Sequence, residues 1–430
     1  MVVGFFQKRL RRWRLLVVFM GRIATGVARW CHHLDDKQMG GRQIIVWQDI
    51  AHIAGVATFA TDAALHTRRL NDTHLPGLVV AWGGAQGQLC IAGRANGDVL
   101  VRRHVDGRRR QVVKHATNLA SLPGVRVKYV SDAWQTAADD LAHELRAEAS
   151  SIETALADPS VEAVIICSPT STHSEFIARA VAAGKHIFCE KPVDLSVQRA
   201  HVVAQAVADA GVGCMIGFQR RFDPTFSEAH RRMEAGDIGV PEMLIITSRD
   251  PSPPPATYIE QSGGIFRDML IHDFDVFRWM LCADGDEAAW LSATGSVLID
   301  PEVGVAGDYD CAAVTIRTRK GRLCQINTSR RAAYGYDQRF ELLGSLGLLE
   351  CANHTANEVR QWDANGITAN KPEAFFLQRY VAAYRLEISH FLDCLQSGQP
   401  FKTTIHDGLE AQKLAAAAAE SASTGQAINL

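Results

Sequence analysis

Val161-Glu162-Ala163-Val164-Ile165-Ile166-Cys167-Ser168-Pro169-Thr170, followed by His186-Ile187-Phe188-Cys189-Glu190-Lys191-Pro192, decides the fold. Each stretch is a short apolar run that stops at a polar turn. Between them the segment 174–183 has helical patterning, and Gly184 ends it. An apolar run without alternation is a strand buried on both faces, and strands joined by helices pair in parallel. The same grammar extends both ways. Valine-rich 125–130 ends on Ser131-Asp132 and is followed by a helical pattern over 133–148. Helical 196–210 ends at Gly211, and 213–217 reads as the next strand. The expected fold is α/β, opening with a Rossmann-type parallel sheet.

After Phe218 the pattern changes. Segments 224–235 and 266–281 read as helices, and long alternating strands lie at 243–248, 312–318, 322–329 and 340–344. Alternation over such lengths predicts an antiparallel sheet with one open face. Helices over 378–397 and 407–423 follow. The expected organisation is a dinucleotide-binding domain over 1–218 and an α+β substrate-binding and oligomerisation domain over 219–430, built on a large, mostly antiparallel sheet.

The bulk properties narrow the classes. The chain has 430 residues, 47% of them hydrophobic, which suits two domains with real cores. A net charge of -2 gives no electrostatic reason to expect nucleic acid or a membrane surface. The ten cysteines form no Cys-x-x-Cys pair and several lie in apolar strands. They read as buried free thiols in a reducing, cytoplasmic setting, and no metal is expected. Lys8, Arg9, Arg11, Arg12 and Arg14 precede an apolar run at 15–20 that is too short for a secretory core of about 7–15 residues with its cleavage site. An organellar transit peptide is the minor alternative there.

Two segments carry chemistry. Lys191 stands at a strand end, and Gly263-Gly264-Ile265-Phe266-Arg267-Asp268-Met269-Leu270-Ile271-His272-Asp273 is expected to open a helix with Asp268 and His272 one turn apart on one face. A lysine, a carboxylate and an imidazole so placed can oxidise an alcohol: the imidazole takes the hydroxyl proton, the carboxylate orients it, and the ammonium holds the oxygen. Hydride transfer needs a nicotinamide cofactor. The bland readings are a surface lysine and a packed histidine.

Ser168-Pro169-Thr170-Ser171-Thr172-His173, Glu190-Lys191-Pro192, Gly217-Phe218-Gln219-Arg220-Arg221-Phe222-Asp223, Asp268 to His272 and Tyr334-Gly335-Tyr336-Asp337-Gln338-Arg339 occur in that order. Together they resemble the glucose–fructose oxidoreductase/inositol dehydrogenase/rhizopine-catabolism family, with the nearest match to its inositol 2-dehydrogenases, over about residues 115–430. The resemblance implies NAD as cofactor and oxidation of myo-inositol to its 2-keto product. It implies catalytic roles for Lys191, Asp268 and His272, and a polyol pocket lined by Arg221, Tyr334 and Tyr336. Ser168, Pro169, Thr170, His173, Glu190 and Lys191 match cofactor-contacting positions. Asp132 is suited to the adenosine ribose, which favours NAD over NADP, and equally suited to capping the next helix. Tyr334 and Tyr336 also read as packing on one strand face. The partner implied is a small cyclic polyol or sugar, in a homo-oligomer, a tetramer by resemblance. Another polyol dehydrogenase and a non-catalytic ligand-binding regulator are the alternatives.

The family pattern breaks at the start. Residues 1–6 read as the first strand and 115–120 as the helix after a Gly-x-Gly-x-x-Gly loop, whose glycines let backbone amides approach a pyrophosphate. Between them, about 7–114 matches nothing in the family. In register with His115, the glycine positions fall at Gly107, Arg109 and Val112. The candidates Gly21-Arg22-Ile23-Ala24 and Gly83-Gly84-Ala85-Gln86-Gly87 fit no better. The insert shows no sustained amphipathic period, which favours translated non-coding or out-of-frame sequence over the alternative, an inserted domain.

Overall fold

The structure, a computed structural model, describes residues 90–94 and 109–430, all within one compact unit, Trp82–Leu430. The expected strand at 1–6 and nearly all of the insert lie outside these residues.

The first sheet contains β1 (Cys90–Arg94), β2 (Val125–Val130), β3 (Glu148–Ala149), β4 (Ala163–Ile166), β5 (His186–Cys189) and β6 (Cys214–Ile216). Its helices are α1 (Arg109–Ser121), α2 (Gln135–Leu145), α3 (Ile152–Ala157), α4 (His173–Ala182) and α5 (Val197–Ala210). The spatial order is β3-β2-β1-β4-β5-β6, that of a doubly wound sheet, whose ligands lie beyond the carboxyl ends of the strands. Every β4 residue is buried, as an unbroken apolar run requires. Ser151 and Ser196 cap α3 and α5 by accepting from Thr154 N and Arg199 N.

The neighbours β2/β3, β4/β5 and β5/β6 are parallel. β1 is not: it runs antiparallel to both β2 and β4. Cys90 pairs with Val130 and with Ile165. The amino end of β1 therefore shares the edge where its neighbours finish. The central position of the sheet is filled, but with the chain direction reversed from that of a parallel fold.

The second half begins with α6 (Pro224–Glu234), capped by the Asp223 carboxylate on Phe226 N. Then come β7 (Pro241–Arg249), α7 (Ala256–Ser262), α8 (Gly264–Asp268), α9 (Ile271–Leu281), β8 (Ala288–Ser296) and α10 (Pro301–Val305). The remainder is β9 (Cys311–Thr318), β10 (Leu323–Ser329), β11 (Asp337–Gly344), β12 (Gly347–Cys351), β13 (Arg360–Asp363), β14 (Gly366–Ala369), α11 (Phe376–Arg379), α12 (Val381–Ser397), α13 (Ile405–Thr424) and β15 (Ile428–Asn429). The large sheet runs β12-β11-β7-β10-β9-β8-β15. Only β7 and β10 pair in parallel; the rest is antiparallel, so the sheet is mixed but mostly antiparallel. α9 and α13 cover one face. On β10 the residues Cys324, Ile326 and Thr328 are buried against that cover while Leu323 and Gln325 are exposed.

One expected helix is two. The chain breaks between α8 and α9, because Met269 and Leu270 both donate to Ile265 O and His272 N turns to Met269 O at 3.4 Å. The break frees the carbonyl of Asp268. Asp268 and His272 therefore stand on different helices, not on one face of a single helix.

Candidate active site

The carboxyl ends of β4 and β5 lie side by side, since Ile166 pairs with Cys189. Lys191 leaves the end of β5, and its peptide bond to Pro192 is cis. Its ammonium donates to the freed Asp268 carbonyl at 2.6 Å and lies 3.5 Å from Asp268 Oδ1. Gly263 and Gly264 make this approach possible. Both have positive φ, 83° and 81°, and a Cβ on Gly264 would stand 2.7 Å from Asp308 Oδ1. Asp308 holds the start of α8 by accepting from Ile265 N at 2.9 Å.

The Asp268 carboxylate is shared among several donors. Tyr258 O–H donates to Oδ1 at 2.7 Å, and Arg330 Nη1 stands 3.6 Å from Oδ2. Arg330 is 1% exposed and its other terminal nitrogen reaches Asp308 at 3.4 Å. Neither Tyr258 nor Arg330 follows from the sequence reading. The expectation that Asp268 orients His272 is corrected here: the carboxylate serves Lys191, Tyr258 and Arg330 instead. His272 rests edge-on against Phe218, and its Nδ1 is buried without a hydrogen-bond partner. Burial, then the charges of Lys191 and Arg220, push its pKa well below the ordinary histidine value. All three effects favour the neutral imidazole, the state a base needs.

Asp250 also joins the group, directly after β7. Burial drives its carboxyl up to about 7, with Asp268 adding to the rise and Arg330, Arg220 and Lys191 opposing it. A charged residue just past a strand end is the signal that marked Lys191. The same signal marks Asp250 after β7 and Arg330 after β10.

Of the expected ligand contacts, Arg221, Tyr334 and His173 are engaged within the protein instead. The Arg221 guanidinium is consumed by Asp275, at 2.9 and 2.5 Å, by Asp407 at 2.9 Å and by Lys402 O at 2.9 Å. It does not line the pocket. Adjacent residues of the short 3₁₀ turn Gln219–Phe222 diverge by about a third of a turn, so Arg220 faces the site instead. Arg220 pairs with Asp273 and lies near Tyr336 and Tyr380. Tyr334 is 40% exposed and its hydroxyl donates to Asp337 at 2.5 Å while accepting from Arg249. Tyr336 is buried against Phe375 and Tyr380, with Arg220 and Asp250 as charged neighbours. The two tyrosines do not share a strand face: they flank Gly335, at φ 130°, in the turn before β11. His173 is 1% exposed and spends both ring nitrogens on main-chain carbonyls, Pro192 O at 2.6 Å and Ser168 O at 2.8 Å. It ties the β4 and β5 end loops together rather than presenting itself to a ligand.

The remaining positions lie at the sheet edge. Ser168 accepts from Thr172 Oγ1 at 2.8 Å; Ser168 and Thr170 are buried, and Pro169 is half-buried. Glu190 is bound through Oε1 to His115 Nε2 at 2.7 Å, and its carboxylate crowds Gly217, where a Cβ would come within 3.2 Å. Asp132 Oδ1 accepts from Trp134 N at 2.9 Å, fixing the turn into α2. The residues at the carboxyl ends of β4 and β5, with a His272 Nδ1 that is buried without a hydrogen-bond partner, fit the nicotinamide end of a dinucleotide. The glycine positions for its pyrophosphate include Gly107, outside the described residues.

Both halves of the chain are similar to known proteins. Residues 109–218 match the oxidoreductase family's NAD-binding Rossmann fold, and 231–430 match the same family's C-terminal alpha/beta domain. Inositol 2-dehydrogenase of Rhizobium meliloti (strain 1021) is 42% identical over 316 residues, 74% of this chain and 95% of that protein. The crystal structure of a myo-inositol dehydrogenase from Corynebacterium glutamicum superposes with a TM-score of 0.72 at 38% identity, covering 77% of this chain and 98% of that one. A scyllo-inositol dehydrogenase from Lactobacillus casei, with bound NAD(H) and scyllo-inositol, gives 0.70 at 26% identity, covering 77% and 98%. Nearly the whole length of each relative is thus accounted for by about three quarters of this chain. The chain belongs to the oxidoreductase family defined by glucose–fructose oxidoreductase, inositol dehydrogenase and the rhizopine-catabolism protein.

Proposed function

We propose that this chain oxidises the 2-hydroxyl of myo-inositol to the ketone, with Lys191, Asp268 and His272 as its catalytic residues. The observation that carries the reading is the meeting of Lys191, Asp268 and a neutral His272 at the carboxyl edge of a dinucleotide-binding sheet, in a family whose members include inositol 2-dehydrogenases. NAD supplies the hydride acceptor when bound. His272 accepts the hydroxyl proton, and its depressed pKa keeps it ready to do so. The Lys191 ammonium holds the reacting oxygen. Asp268, fixed by Tyr258 and Arg330, neutralises and aims Lys191. Arg220, Tyr336 and Asp250 surround the position left for the ring hydroxyls. Asp132 reads the adenosine ribose and disfavours the 2′-phosphate of NADP.

The same reading includes a cytoplasmic homo-oligomer. Leu348, Leu343, Met243 and Leu323 are register partners in one row across β12, β11, β7 and β10. Leu348, Leu343 and Leu323 are exposed on the open face, a stripe suited to a second copy.

Calorimetric titration with NAD tests the cofactor part. The full chain should bind NAD weakly, and replacing 7–112 with Gly-Ala-Gly-Arg-Ile-Gly, which removes β1 and leaves residues 1–6 to supply the central strand, should tighten it, because a pyrophosphate needs several backbone amides at a helix start. Tight binding by the full chain, lost on replacement, would make the insert a domain with its own phosphate site.

A further inference from the structure

Lys191 stands closer to a neutral oxygen than to a charged one. Its ammonium is 2.6 Å from the Asp268 carbonyl but 3.5 Å from Oδ1 of the Asp268 carboxylate. An ammonium and a carboxylate in direct contact stand about 2.7–2.9 Å apart. Both side chains are largely shielded from water, at 12% and 14% exposure, which strengthens their attraction. The gap therefore needs a cause, and the other groups on the carboxylate supply one. The Tyr258 hydroxyl, from α7, donates to Oδ1 at 2.7 Å, taking up the same oxygen that Lys191 would close upon. Arg330 Nη1 attracts Oδ2 from 3.6 Å. Arg330 is itself held: it is 1% exposed, its main-chain N–H donates to Asp310 O at 2.7 Å, and its Nη2 reaches Asp308 at 3.4 Å. Asp308 in turn accepts from Ile265 N at 2.9 Å. The guanidinium is thus tied to both ends of α8, through Asp308 at its start and through Asp268 at its last residue.

We propose that Tyr258 and Arg330 are positioning residues that hold the Asp268 carboxylate back from Lys191, so that the ammonium is anchored by the Asp268 carbonyl and keeps its charge and a donor for the reacting hydroxyl. An ammonium has three donors. The carbonyl takes one, and a closed ion pair would take a second and satisfy most of the charge before the substrate arrives. A cation held loosely has more to gain as negative charge develops on the reacting oxygen, and only an interaction that strengthens in the transition state raises the rate. The catalytic consequence rests on the proposed function; the placement of the carboxylate does not.

Competitive acetylation with acetic anhydride, read lysine by lysine by mass spectrometry, tests the placement on the full chain without cofactor. In Tyr258→Phe and in Arg330→Met the carboxylate is released to close on Lys191, and a tighter ion pair makes the amine less reactive. Lys191 should be acetylated about tenfold more slowly in each, the worth of one charge-assisted hydrogen bond. Lys185, buried and bonded to Asp158 O and Val161 O at 2.8 Å each, is the control for an intact fold and should be unchanged. An arginine that only neutralises buried carboxylates would leave Lys191 as reactive as before or more so, and either result would overturn the proposal. Should Arg330→Met loosen the fold and expose Lys185, Tyr258→Phe, which removes one hydroxyl and no charge, decides alone. Turnover gives the second readout. The kcat for inositol oxidation should fall about tenfold in Tyr258→Phe with NAD affinity unchanged by calorimetry. Slower acetylation with a full kcat would overturn the catalytic consequence. A wild type that forms no NADH would count against the proposed function, while the acetylation rates still decide where the carboxylate is held.

Discussion

The Lys191 ammonium donates to the main-chain carbonyl of Asp268 at 2.6 Å, and that carbonyl is free only because the helix breaks at the next residue. In an unbroken helix Asp268 O would accept from His272 N. Here the bond is replaced by a side chain arriving from the end of β5. One irregularity thus joins the two halves of the site: it anchors Lys191 and turns the His272 ring away from Asp268. The carboxylate remains to balance two cations, Lys191 and Arg330.

That arrangement fixes the sign of a pH effect. With no carboxylate on His272, and with burial, Lys191 and Arg220 all disfavouring the imidazolium, the acidic limb of inositol oxidation should fall below the ordinary histidine value of about 6.5. The rate rises with pH through that low limb, where the base loses its proton. A pH–rate profile at saturating substrate measures it, with His272→Asn removing both the limb and most of the activity. A limb above the ordinary value would restore Asp268 as the partner of His272.

Asp250 should leave a mark on stability. Its folded pKa is pushed up to about 7, against about 3.9 for a free aspartate. Between those values the folded state binds more protons than the unfolded one, so this group makes stability fall as pH rises. Urea unfolding of wild type and Asp250→Asn across about pH 4 to 7 isolates it. The wild type should lose stability relative to the variant as the pH rises, and parallel curves would show that Asp250 is not held protonated.

Arg221 should matter to folding and not to substrate. Its loss leaves Asp275 buried without its guanidinium, a change that typically costs about 3–5 kcal/mol. Chemical denaturation of Arg221→Met should show that loss, while the KM for inositol stays near wild type in whatever fraction remains folded. A raised KM with little change in stability would put Arg221 back in the pocket.

How much of this was legible in the sequence depended on whether the signal was local. The strand at 186–189, the helix capped by Ser196 and the alternation of β9 and β10 are each set by neighbours along the chain, and the structure places them there. Lys191 was legible for the same reason. The break after Asp268 was not: no glycine or proline marks 269–270, and the side chain that takes up the freed carbonyl, Lys191, lies far away in sequence. The choice between Arg220 and Arg221 turns on the phase of a short 3₁₀ turn, which two identical residues side by side cannot reveal. Asp250, Tyr258 and Arg330 reach the site from separate segments, and only the packed sheet brings them together.

The exposed row on the large sheet makes the assembly testable. Leu343 sits between Leu348 and Met243 on the open face, so Leu343→Lys should place a charge inside any contact between copies. Sedimentation should show a smaller species for the variant with its fold intact by circular dichroism. Unchanged sedimentation would remove this face from the oligomer.

The most direct test of the whole account is NADH formation from myo-inositol, followed by absorbance at saturating NAD, for the full chain and for Lys191→Ala. The account predicts inositol-dependent NADH from the full chain and a loss of about 10²–10⁴-fold in the variant, whose fold should be unchanged because Lys191 is held by hydrogen bonds at the site rather than by the core. A variant that reduces NAD as fast as the wild type, or a wild type that forms no NADH at all, would contradict it.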